Sequence, residues 1–191
     1  TMSPNTIRII DKYVGQPICA VLTILRRVFP SRKQREPSAI LFLKLVEQGA
    51  TVLAYSAIKN AVDRVGRDKV FFCVFQRNRP ILDIMDVIPK ENVIEIRQSN
   101  IFLFVIDIFK LLVRCRREAI DTSIDMEFFS RASAILAYLS GARNRVGLHR
   151  FKSEFPYRGD LMTHRIQHNA YMHISKAYLQ LVESLNSDPG D

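Results

Sequence analysis

The stretch AILFLKLVEQGATVLAYSAIKNAVDRV, residues 39–65, decides how the chain is read. Its first eight residues are apolar except for Lys44. A run this short, closed by a turn, predicts a strand over 39–46 that is buried on both faces. Glu47, Gln48 and Gly49 supply the turn. Beyond it Val52, Tyr55, Ile58, Val62 and Val65 recur at three or four residues, the apolar stripe of a helix over 50–65. A buried strand running directly into an amphipathic helix is the start of a βα unit.

The alternation continues outward. Residues 70–75, 92–96, 119–126 and 145–149 read as strands, with helices over 80–87, 100–117, 128–139 and 171–185. In 100–117 the polar residues Asn100, Asp107, Lys110, Arg114 and Arg117 share one face, which predicts a helix packed on most of its circumference. Residues 150–169, rich in aromatic and basic side chains, read as a loop. Strands separated by helices require crossovers, hence a mainly parallel sheet covered on both faces. The expected fold class is α/β, a Rossmann-like doubly wound domain with five strands.

Ahead of this domain, Ile7, Ile10, Val14, Ile18, Val21, Leu25 and Val28 form a helical stripe, with Gly15 and Pro17 placed to kink it. A basic linker follows. The expected organisation is a helical extension and linker over 1–38, the Rossmann-like domain over 39–185, and the start of an interdomain linker over 186–191. The N-terminal stripe packs on protein or, with Arg26, Arg27, Arg32, Lys33 and Arg35 beside it, lies on an anionic membrane.

A chain of 191 residues, 48% hydrophobic and 25% charged, is large enough for one domain with a real core and is not disordered in character. Net charge of +9 favours anionic partners: nucleic acid, lipid headgroups or phosphorylated substrates. Cys19, Cys73 and Cys115 are widely spaced and form no CxxC pair, which argues against zinc or a disulfide framework and for a reducing cytoplasm. No apolar run approaches the length of about 20 residues that a spanning helix needs.

In a doubly wound sheet, ligands lie beyond the carboxyl ends of the strands. Residues 47–51 follow the first strand. There Gly49 would let the backbone turn tightly and offer helix amides to an anion, with Glu47 beside it, or the segment is simply a helix entry with a solvated carboxylate. Asp125 and Glu127 end the fourth strand; they could bind sugar hydroxyls, pair with Arg131, or cap the following helix. From Arg143 to His168, six Lys/Arg stand against two acids, with His149, His164 and His168 and three aromatics between them. Such a segment suits phosphorylated sugars or lipid surfaces, or only keeps the surface solvated. The histidines lack metal-ligand spacing.

Two stretches carry a family likeness. ILFLKLVEQGATVLAYSAI (40–58) and IDTSIDMEFFSRASAILAYLSGARNRVGLHR (120–150) resemble the opening strand-turn-helix and a later strand-helix-strand of the family-9 glycosyltransferases, the heptosyltransferases of lipopolysaccharide core synthesis. The resemblance covers residues 39–185. It implies the N-terminal half of a GT-B architecture, in which this domain binds a phosphorylated sugar or glycolipid acceptor. The nucleotide sugar donor would sit in a C-terminal domain, and no metal would take part. It further implies an inverting reaction with a carboxylate in the glycine turn as base. This chain has Ala50 where the family has Asp, which leaves Glu47 as the candidate base. Gln48, Gly49, Thr51, Asp125, Glu127, Arg131, Arg150, Arg158 and His164 are the candidate acceptor contacts. The expected setting is the cytoplasm, at the inner face of a bacterial inner membrane. The competing reading is a non-catalytic module for anionic glycan, lipid or protein; nucleic acid has only charge and aromatics in its favour.

Overall fold

The computed structural model describes residues 11–28, 36–46, 48–128, 130–149, 158–167, 169 and 171–186. Six parallel strands form one sheet in the order β3-β2-β1-β4-β5-β6: β1 (Ile40–Leu43), β2 (Val70–Phe75), β3 (Val93–Ile96), β4 (Thr122–Asp125), β5 (Asn144–His149) and β6 (His164–Gln167). The chain is therefore a Rossmann-like α/β domain.

Strand periodicity explains the two cores. Ile40 and Phe42 of β1 and Phe72 and Val74 of β2 point into one layer, while Leu41, Leu43, Phe71 and Cys73 point into the other. All are essentially inaccessible. Burying each such side chain contributes about 1.5–3 kcal/mol, so both faces of these strands are strongly committed.

The helices divide between these faces. The first layer holds α2 (Gln48–Leu53), α3 (Tyr55–Val65), α4 (Arg79–Met85) and α7 (Ile174–Glu183), through Ala50, Ile58, Leu82 and Leu181. The second holds α1 (Gln16–Val28), α5 (Ile101–Arg117) and α6 (Arg131–Leu139), through Leu22, Leu111 and Ala137. Asn100 caps α5 by accepting from the Phe102 N–H at 2.8 Å, and Ser130 caps α6. Carrying the chain from the β3 edge back to the centre, α5 makes β4 a neighbour of β1, and the direction of strand addition reverses there.

Three expectations change, and two readings left open, at Gly49 and at the N-terminal stripe, narrow. Residues 150–169 are not all loop, because β6 pairs with β5; its alternation of inward His164 and Ile166 with exposed Arg165 and Gln167 lacks the apolar run that marks a strand. Such polarity is how an edge strand avoids further pairing. The helix expected over 50–65 is two helices, since the Ala54 N–H donates to Thr51 O at 3.1 Å and this tighter turn separates them without Gly or Pro. Gly49 lies within α2, its φ is not left-handed and a Cβ there would meet nothing, so no tight glycine turn is required. α5 is not packed around most of its circumference; it exposes Phe102, Val105, Ile106, Phe109 and Val113. In α1 the expected stripe faces outward: Cys19, Leu22 and Thr23 are buried while Ile18, Val21, Leu25 and Val28 are exposed. A π-helical turn, Asp11–Gly15, precedes Pro17, where a break was expected. The segments 1–10, 29–35 and 187–191 lie outside the described residues.

Candidate functional site at the β1 and β4 exits

The reversal between β1 and β4 falls where doubly wound sheets hold their ligands, beyond the carboxyl ends of the strands, and there Leu43 stands level with Asp125. Beyond β1 the backbone is clamped, Leu45 from both sides and Val46 from one. From β4, Oε1 of Glu127 accepts the N–H groups of Leu45 at 2.7 Å and Val46 at 2.8 Å. From the β2 side, Asn78 Nδ2 donates to Leu45 O at 2.8 Å. The Glu127 carboxylate takes the place of a strand carbonyl and prolongs the β1–β4 ladder past its last backbone pair. Its other oxygen faces Lys44 Nζ at 3.5 Å, and that lysine is 1% exposed and lies over the Phe128 ring.

Asp125 is fully buried beside this clamp. One of its oxygens accepts the Glu127 N–H at 3.0 Å; the other accepts from Ser133 Oγ at 2.9 Å and forms an ion pair with Arg158. Arg158 also donates to Leu148 O at 3.3 Å. The carboxylates thus pair with Arg158 and Lys44.

Burial raises the pKa of both carboxyls, with Arg158 pulling Asp125 and Lys44 pulling Glu127 the other way. A raised native pKa means that the folded state holds protons which the unfolded chain releases. The stabilisation from these groups is complete below about pH 4, where both states are protonated, and is lost as pH rises through the native values. Urea unfolding across that range is expected to show stability falling with pH, and Glu127→Gln to flatten the fall. A slope unchanged in the variant would remove Glu127 as its source.

A second group of polar residues lies where the end of β5 meets the segment that leads into β6. A shallow recess there is lined by His149, Arg158, Gly159, Asp160, Met162 and Arg165. Asp160 pairs with Arg26 of α1 at 3.0 Å and faces Arg165 at 3.6 Å. Burial, then the charge of Arg165, lowers the pKa of His149, leaving its ring neutral over a wider pH range. Arg145, beneath the recess, is buried; burial and then the Arg26 charge push its pKa down to about 10.

Of the residues singled out from the sequence, Glu47 and Arg150 lie outside the described residues, as does the side chain of Gln48. Thr51, Asp125, Glu127, Arg131 and His164 are buried, and His164 sits with its Nδ1 3.0 Å from Thr163 Oγ1. Lys44, Asn78 and Ser133 were missed. Lys44 alone left a signal, since a lysine inside an apolar strand must find a partner. Among the described residues no group of His, Cys, Asp and Glu could hold a metal ion, and no helix is long and apolar enough to cross a membrane.

The six parallel strands with helices on both faces are those of a Rossmann-like domain. More particularly, the chain has a heptosyltransferase-like fold. It is similar to a family-9 glycosyl transferase from Veillonella parvula (TM-score 0.62, 13% identity), covering 81% of this chain and 42% of that one. It is also similar to the E. coli ADP-heptose lps heptosyltransferase II (TM-score 0.60, 18% identity), with 80% and 41% covered. The E. coli heptosyltransferase WaaC with ADP-2-deoxy-2-fluoro heptose gives a TM-score of 0.55 at 16% identity, with 80% and 50% covered. The chain therefore spans half or less of the length of these structures. No protein-family model and no curated protein matches the sequence, so the likeness is one of fold.

Proposed function

We propose that this chain is the acceptor-side domain of an inverting glycosyltransferase. The transferred sugar is a heptose or a relative, moved from a nucleotide sugar onto a cell-envelope glycoconjugate at the cytoplasmic face of the inner membrane. The nucleotide sugar belongs to a second domain. The observation that supports this reading is the clamp beyond β1: Glu127 and Asn78 fix the backbone of Leu45 and Val46, the residues that precede position 47 in the sequence. A general base needs that kind of fixed approach to a hydroxyl.

In this reading Glu47 takes the proton of the acceptor hydroxyl as it attacks the sugar carbon. Gln48, Gly49 and Arg150 stay as acceptor contacts, and the half-buried His149 and the exposed Arg165 join them as groups suited to phosphate. Asp125, Glu127, Arg131, Arg158, Thr51 and His164 act as positioning residues, because they are buried or held in ion pairs.

The test is sugar transfer by the full-length protein, followed by product mass, with ADP-heptose as donor and a phosphorylated glycolipid as acceptor. Product formation that Glu47→Gln abolishes is the expected result. Normal turnover by that variant eliminates Glu47 as base. Saturable glycolipid binding with no transfer from any nucleotide sugar favours a binding module instead.

A further inference from the structure

The outer side of α5 carries a face that none of the described residues covers. Phe102 and Phe109 are 75% and 67% exposed, with Val105, Ile106 and Val113 around them, while Leu111 and Cys115 on the opposite side meet the sheet. The exposed charges of this helix are Lys110, Arg116 and Arg117, all cations. Its acid, Asp107, is buried and engaged with Arg97 at 2.7 Å. Burying Asp107 leaves the outer face without an anion.

On the same side of the sheet α1 repeats the arrangement. Cys19 and Leu22 join the core cluster that contains Leu111 and Cys115, and Val21, Ile24, Leu25 and Val28 are exposed. The helix has no acidic residue; Arg26 and Arg27 occupy its last turn.

We propose that the outer faces of α5 and α1, both on the second-layer side of the sheet, dock together on an anionic lipid bilayer. Phe102 and Phe109 enter the boundary between headgroups and acyl chains, and Lys110, Arg116, Arg117 and Arg27 meet lipid phosphates. Charge complementarity selects this occupant. A second copy would set cations against cations on a chain of net charge +9, whereas an anionic leaflet attracts both helices at once. The inference deepens the proposed function by seating the domain where a glycolipid acceptor resides, yet its readout is lipid binding, independent of sugar transfer. Either idea can therefore fail alone.

The experiment is co-sedimentation of the 191-residue chain with vesicles of phosphatidylcholine alone or mixed with phosphatidylglycerol. Binding is expected to the mixed vesicles, to weaken with salt, and to drop by about tenfold or more in a Phe102→Ser/Phe109→Ser variant whose circular dichroism is unchanged. Should that variant not fold, Lys110→Glu/Arg117→Glu takes its place, with the same loss expected. Wild-type affinity in the folded variant overturns the proposal. So does absence of binding to either vesicle, or a dimer in solution that the variant dissociates.

Discussion

Asp125→Ala is expected to destabilise the domain by about 3–5 kcal/mol, the range for removing one partner of a buried ion pair. Asp125 is inaccessible and the Arg158 side chain is 10% exposed, so truncation leaves a guanidinium with its main counter-charge gone and little water to replace it. Ser133 Oγ and the Glu127 N–H lose their acceptor in the same step. Urea unfolding measures the loss. A double variant, Asp125→Ala with Arg158→Met, is expected to be more stable than Asp125→Ala alone, because it no longer buries an unpaired charge. Strictly additive losses would show that the two side chains are not coupled, and the account of the site would have to change.

Gly159→Ala has the next largest effect. Gly159 has φ of 70°, and a Cβ there would lie 2.5 Å from Thr23 Oγ1 and 2.8 Å from Cys19 O. Left-handed backbone and overpacking against a helix carbonyl together are expected to cost about 2–4 kcal/mol. The strain falls on the contact that seats α1, where Thr23 Oγ1 accepts the Asp160 N–H at 3.0 Å and Arg26 bonds Asp160. Alongside reduced urea stability, trypsin is expected to cut at Arg26 and Arg27 faster than in the wild type. Unchanged cleavage would mean that α1 is held by some other contact.

Strands β1 and β2 were legible because both are continuous apolar runs, and only a strand buried on both faces needs that pattern. β6 was not, since an edge strand is specified by pairing with β5 and by Thr163, which donates its N–H to Arg145 O at 2.8 Å, rather than by its own composition. Helical stripes gave the helices but not the side each would bury. In α1 the apolar stripe faces out, and a narrower strip of Cys19, Leu22 and Thr23 makes the contact. Asp125 and Glu127 were found as carboxylates at a strand end, but their partners were hidden by distance along the chain. Lys44 is 83 residues from Glu127 and Arg158 is 33 from Asp125.

The clamp by Glu127 separates where the turn after β1 sits from what that turn contains. Backbone N–H groups of residues 45 and 46 are gripped whatever side chains follow them, and the grip comes from a different strand. The exposed position 49 can therefore exchange its side chain over evolutionary time without disturbing that grip, whereas the buried Ala50 and Thr51 hold α2 against the first layer. A designer who wished to graft new chemistry onto this scaffold would leave Glu127 and Asn78 untouched and write the change into the turn.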